Sequence, residues 1–107
     1  MVSDPIASIE VTALSGEGAE LQLDIRASIA APQRQSDGSW LCRVVVAPLQ
    51  EQALEVRGVD SFHATWLACS LILKLLTQLK DAGTRLQSAD GSDFPLEAYL
   101  AGLDGQR

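Results

Sequence analysis

Residues 61–82 read SFHATWLACSLILKLLTQLKDA, and this stretch decides the fold. On a helical wheel, Phe62, Trp66, Cys69, Leu73 and Leu76 fall in one stripe. Ala64, Ala68, Leu71, Ile72, Leu75 and Leu79 carry the apolar arc far beyond it. His63, Ser70, Lys74, Thr77, Gln78 and Asp81 form the coherent polar strip, roughly 100° wide, whereas an ordinary surface helix has the reverse proportions. The pattern predicts a helix from Ser61 to Ala82, capped by Asp60 or Ser61 and ended at Gly83. Its first stripe is expected to lie on a sheet, with Leu73 deep in the core. The second apolar face then needs its own cover: the chain's C-terminal tail, a second subunit meeting it at Leu67, Leu71 and Leu75, or another protein.

Upstream of the helix the period changes from 3.6 to 2. Ala7, Ile9, Val11 and Ala13 alternate with Ser8, Glu10 and Thr12, and Leu21, Leu23, Ile25, Ala27 and Ile29 alternate with Gln22, Asp24, Arg26 and Ser28. These are half-buried strands. Closing the chain across the glycine-rich segment 15–19 pairs Ala13 with Leu21, Val11 with Leu23 and Ile9 with Ile25, apolar against apolar. Asp37-Gly38 marks a hairpin, pairing Ile29 with Val46, Ala31 with Val44 and Gln33 with Cys42. Pro32 lacks a ladder donor, so a bulge or bend is expected near residues 30–34. Trp40, Cys42, Val44 and Val46 face inward, and Leu41, Arg43 and Val45 outward. A fourth run, Ala53 to Val59, puts Leu54 and Val56 inward and pairs Val56 with Val46. Beyond the helix, Thr84 to Gln87 reads as a short fifth strand, Asp90-Gly91-Ser92-Asp93 as a turn, and Pro95 to Ala101 as a short helix ended by Gly102. Phe94, Leu96, Tyr99, Leu100 and Leu103 are available to shield part of the long helix. The resulting class is α+β: a bent antiparallel meander of four to five strands, open or closed into a small barrel, packed on one long helix that follows strand 4.

The chain has 107 residues, 47% hydrophobic and 21% charged. That suits one domain spanning 1–107 and excludes disordered and collagen-like classes. With 8 basic and 14 acidic residues the net charge is −6, which disfavours a phosphate-binding surface. The start lacks a basic and then apolar leader. The apolar run Ala64 to Leu79 is broken by Thr65, Ser70, Lys74, Thr77 and Gln78 and reads as too polar and too short to span a membrane. The two cysteines, Cys42 and Cys69, are far apart in sequence and read as core residues. A soluble cytoplasmic protein is expected.

Chemistry-bearing patterns are sparse. The single histidine, His63, lies on the helix's polar strip beside Asp60 and Ser61. One histidine and two distant cysteines do not make a zinc site, and Asp90-Gly91-Ser92-Asp93 lacks the calcium-loop spacing. No dinucleotide fingerprint, phosphate loop or nucleophile elbow occurs. No catalytic residue, metal or cofactor is assigned, and the expectation is a non-enzymatic module.

Two resemblances add to this reading. Leu54-Glu55-Val56-Arg57-Gly58-Val59-Asp60 resembles the second signature of Sm-like proteins in Val56, Arg57 and Gly58, with the long helix placed after the sheet as in a permuted variant. That resemblance implies a small bent barrel and RNA contacts at Arg57 and Gly58, with Arg43 and Arg26 on the same outward sheet face. Asp37-Gly38-x-Trp40-x-Cys42 followed by Gly58-Val59-Asp60-Ser61-Phe62-His63-Ala64 resembles a small bacterial α+β domain of unknown function with members near toxin–immunity loci. It implies a compact binding protein. The leading expectation is an interaction module that pairs with itself as a homodimer or with another protein. The alternatives are an Sm-like RNA binder and an immunity-type inhibitor of a basic toxin.

Overall fold

The computed structural model describes residues 4–16, 18 and 20–101. Among these the chain forms β1 (Pro5–Ser15), β2 (Leu21–Ala30), β3 (Gln33–Arg34), β4 (Trp40–Ala47), β5 (Leu54–Gly58), α1 (Ser61–Asp81), β6 (Arg85–Gln87) and α2 (Leu96–Ala101). The class is α+β, an antiparallel sheet packed against one long helix.

The meander is realised as β1-β2-β4-β5. Val44 pairs with Ile29 on one side and Leu54 on the other, and Leu41 with Gln33 and Arg57. Thus β2 and β3 share one edge of β4 and β5 takes the other. Between the Ile29–Val44 and Gln33–Leu41 pairs, four steps of chain face three on β4. This is the expected bulge, and it falls at Ala31-Pro32. β6 pairs with the outer edge of β1. β5 and β6 lie at opposite edges, so the sheet is open and not a barrel.

The registers of β1 on β2, β2 on β4 and β4 on β5 differ from expectation by even steps, and that of β3 on β4 by one, across the bulge. β1 and β2 pair Ala13 with Leu23, Val11 with Ile25 and Ile9 with Ala27. The turn centres on Gly18, which with Gly16 has positive φ (77° and 90°), a conformation glycine adopts without strain. β2 and β4 pair Ile29 with Val44 and Ala27 with Val46, and Gln33 faces Leu41 instead of Cys42. β5 pairs Val56 with Cys42 instead of Val46, because a longer loop follows β4. A two- or four-residue slip keeps every side chain on its face, since the pleat repeats every two residues. The hydrophobic pattern therefore does not register it.

The inward residues Val11, Ile25, Ala27, Ile29, Cys42, Val44 and Val46 are buried as expected. Leu21 and Leu23 are not; they remain 63% and 38% exposed. Leu41 and Val45 are buried although they alternate with that face, and they stand outside the main core cluster.

The hairpin at Asp37-Gly38 forms, and the same loop recurs at Asp90-Gly91. The amide of Gln35 donates to the Ser39 carbonyl and that of Ser88 to the Ser92 carbonyl, both at 2.8 Å. The glycines have φ of 89° and 87°. The second loop folds the chain back so that Phe94 N–H donates to the Leu86 carbonyl at 3.0 Å.

α1 begins and ends where expected. Asp60 is the N-cap, and its side chain accepts from the His63 amide. At the other end Gly83 (φ 99°) donates to the Lys80 carbonyl and Thr84 to the Leu79 carbonyl, a Schellman closure.

The helix is rotated from the expected face: of the expected stripe Leu76 is buried, and Phe62, Trp66, Cys69 and Leu73 are not. Ala64, Ala68, Ile72 and Leu76 are the buried residues of α1, and Leu71, Leu75 and Leu79 pack beside them. Phe62 and Trp66 are 81% and 43% exposed, Cys69 is exposed and Leu73 is half-buried. The cause is the close approach of helix and strand. A Cβ placed on Gly58 would lie 2.9 Å from both the Ala64 Cα and the His63 carbonyl carbon. Only small side chains fit between α1 and the sheet at that separation.

Candidate interaction surface

The stripe Phe62, Trp66, Cys69, Leu73 repeats at intervals of four, three and four residues, the spacing of a helix–helix seam. Its C-terminal half borders an apolar cavity of about 120 Å³ between α1, the start of β1, β2 and α2. Ile9 and Ile29 form the floor, Cys69, Ile72 and Leu73 one wall and Tyr99 the other.

Each wall is held in place. Tyr99 stacks on Phe94 with ring centroids 5.1 Å apart and planes 16° from parallel. Phe94 and Leu96 are buried, and Leu100 packs on the core. Lys80 Nζ donates to Glu97 Oε2 at 2.7 Å, tying α1 to α2. The tail thus shields part of the long helix through Phe94, Leu96 and Leu100. Tyr99 stays 43% exposed. Gly102 and Leu103 lie outside the described residues.

Aromatic side chains present about 150–250 Å² each. At 81% exposure for Phe62 and 43% for Trp66 and Tyr99, the surface leaves on the order of 350 Å² of aromatic area in water. That matches the largest apolar patches found on monomers. α1 is also long and apolar enough, by length and composition, to cross a membrane, with 22% of its most apolar window buried. The expectation that the segment was too short and too polar is corrected in length and composition alone: α1 has 21 residues where the apolar run spans only Ala64 to Leu79, and the core helix of a soluble domain meets the same criterion. Here the helix spans the sheet as the core element of the domain.

The residues singled out from sequence are distributed differently. Leu71 and Leu75 are half-buried against the core, and Leu67 is half-buried at the margin of the polar strip. Gly58 is buried at the helix junction. Arg26, Arg43 and Arg57 share the outward sheet face, and each has a local partner. Arg26 Nε lies 3.8 Å from Glu10 Oε2, Arg43 Nε donates to Glu55 Oε2 at 3.1 Å, and Arg57 Nη1 donates to Ser39 Oγ at 3.1 Å. Arg26 also shares its depression with Asp24 and Glu10.

His63 serves the helix start. Its amide donates to Asp60 Oδ1 at 2.7 Å, and its Nδ1 accepts from the Val59 amide at 3.0 Å. The arrangement is close to a capping box, with histidine in the position usually held by Glu or Gln, but the ring accepts from the Val59 amide, one residue before the cap. Cys42 is fully buried, its Sγ 3.2 Å from the Ala30 carbonyl. Burial pushes both thiols above the ordinary cysteine value, with the neighbouring Cys69 adding to it at Cys42. Cys69 nevertheless reaches the surface at the cavity wall, contrary to its expected core position, because α1 is turned to bury its alanines. No group of three or more His, Cys, Asp or Glu side chains is placed to hold a metal among the described residues.

The sequence signal for this surface was the stripe itself. It was read as the sheet-facing side, and Tyr99 as a shield for the helix. Comparison with protein-family models, curated proteins and solved structures gave no match in any of the three.

Proposed function

We propose that the chain is a non-enzymatic interaction module that associates with itself through the exposed stripe of α1. The observation that carries this reading is an 81% exposed phenylalanine at the head of an apolar helical seam whose tail opens on an apolar cavity. Aromatic anchors of this type dominate the energetics of interfaces when they become buried. The surroundings suit a self-contact. None of the thirteen residues from Ser61 to Leu73 is Asp, Glu, Lys or Arg, so the stripe meets a copy of itself without repulsion between such charges in a protein of net charge −6.

The absence of catalysis in this reading fits the state of the reactive groups. His63 is engaged in a helix cap, Cys42 is fully buried, and desolvation raises both thiols above the ordinary cysteine value. Two free cysteines fit a reducing compartment, and the reading places the protein in the cytoplasm.

Gel filtration of the wild type beside Phe62→Lys tests the proposal. The variant should elute later with an unchanged circular dichroism spectrum. Coincident elution at the monomer position at high loading rejects self-association.

A further inference from the structure

We infer that the occupant of the α1 stripe is a second copy of the chain arranged antiparallel about a two-fold axis, with Phe62 of each copy seated at the mouth of the other's apolar cavity. The inference rests on the self-association reading and adds its geometry.

The argument begins with spacing. The intervals four, three, four along Phe62, Trp66, Cys69 and Leu73 are the same read from either end. An antiparallel pairing centred between Leu67 and Ala68 therefore sets Phe62 opposite the second copy's Leu73, and Trp66 opposite its Cys69. Each copy offers the same patch to the other, as a closed two-fold contact requires.

Knob and hole also match. The head of the stripe carries a protruding ring, with Phe62 81% exposed. Its tail carries the hole, an apolar cavity of about 120 Å³ beside Leu73, Cys69 and Tyr99. A cavity of about 150 Å³ lined by apolar side chains holds a benzene ring, so a phenylalanine ring is the right order of size. Antiparallel pairing brings each knob to a hole. Parallel pairing would set ring against ring and cavity against cavity.

Charge and area agree with this arrangement. The overlapping segments are residues 61–74, whose only Asp, Glu, Lys or Arg is Lys74; it stands on the polar strip at the end of the overlap, so the two copies' lysines lie about 20 Å apart along the axis. An aromatic area on the order of 350 Å² makes the apolar centre of an interface whose standard size is about 800 Å² per partner.

The geometry makes two distance predictions. At about 1.5 Å of rise per residue, the two Cys69 residues are offset by about 4.5 Å along the helix axis and face one another across the seam. The two Asp81 residues stand about 40 Å apart along that axis. Cys42 is fully buried and does not compete for reagent.

The test combines thiol crosslinking with spin-label distances in the full chain. A short bis-maleimide should link Cys69 to Cys69 in the wild type, and Cys69→Ser should abolish the product. Spin labels on Asp81→Cys, in the Cys69→Ser background, should report about 40 Å. Phe62→Ala should weaken the dimer at least tenfold. A dimer that fails to crosslink at Cys69, or whose position-81 labels lie within about 20 Å, overturns the antiparallel pairing and leaves self-association standing. A monomer at every concentration removes both.

Discussion

Gly58 and the backbone of Ala64 touch across the junction of β5 and α1: a Cβ on Gly58 would stand 2.9 Å from the Ala64 Cα. This contact sets how closely the helix lies on the sheet, and so which helix face the sheet accepts. Ala64 and Ala68, both at 0% exposure, fit the narrow gap. Phe62 and Trp66 do not, and turn to solvent. The exposed stripe follows from this packing.

Gly58→Ala should therefore force strand and helix apart and cost about 1–3 kcal/mol, the range for overpacking a filled site. Arg57→Ala, one residue earlier and exposed, should stay within about 0.5 kcal/mol. Urea denaturation of the two variants checks this. Equal midpoints would mean that the glycine is not a packing residue.

The rotated helix also reassigns the core leucine. Leu76 is 1% exposed, and Leu76→Ala should cost about 2–5 kcal/mol. Leu73, half-buried at the cavity wall, should cost less when truncated. Chemical denaturation below the concentration at which the chain associates reads the difference. A larger loss at Leu73 would put that residue deep in the core, as expected from the sequence.

The cap at the helix start gives a third prediction. Asp60→Ala removes the acceptor for the His63 amide and should cost about 1 kcal/mol. His63→Ala leaves the Val59 amide without its acceptor, and His63→Gln should recover part of the loss, since Gln serves the same position in capping boxes. Identical thermal midpoints for His63→Ala and wild type would show that the ring bond contributes nothing.

The fold was legible wherever a period carried it. Alternation named Ile25, Ala27 and Ile29 of β2 and Cys42, Val44 and Val46 of β4 as inward, Pro32 named the bulge, and Asp60 and Gly83 named the helix ends. Register was not legible, because slips of two or four residues leave every face unchanged; the loop after β4 then lengthened without altering the pattern. The helix face was misread for a different reason. Hydrophobicity ranks Phe62 and Trp66 above alanine, but the gap at Gly58 selects by size. The signal was present in Ala64 and Ala68, four residues apart and just beyond that glycine. The cavity was out of reach, because it needs β1, α1 and Tyr99 of α2 in one place.

Acid should weaken the fold through the two Asp-Gly-Ser loops. Ser39 and Ser92 donate hydroxyl bonds of 2.6 Å to Asp37 and Asp90. These bonds first, and the amide bonds of the same serines second, hold both carboxyls below the ordinary aspartate value. Lys80 does the same for Glu97. A carboxyl lowered in the folded state stabilises it fully above the unfolded value, and the contribution disappears as pH falls through the native one. The urea midpoint should hold from pH 7 to about 5 and drop below about 4. Asp37→Asn with Asp90→Asn should make the drop shallower; an unchanged drop would show that these loops do not contribute to it.

The most direct test of the central claim is absolute molar mass by light scattering over a concentration series, with Phe62→Lys run alongside. The account predicts that the wild type rises from 11.4 kDa toward twice that mass while the variant stays at the monomer value. A wild-type mass of 11.4 kDa at every concentration would contradict it.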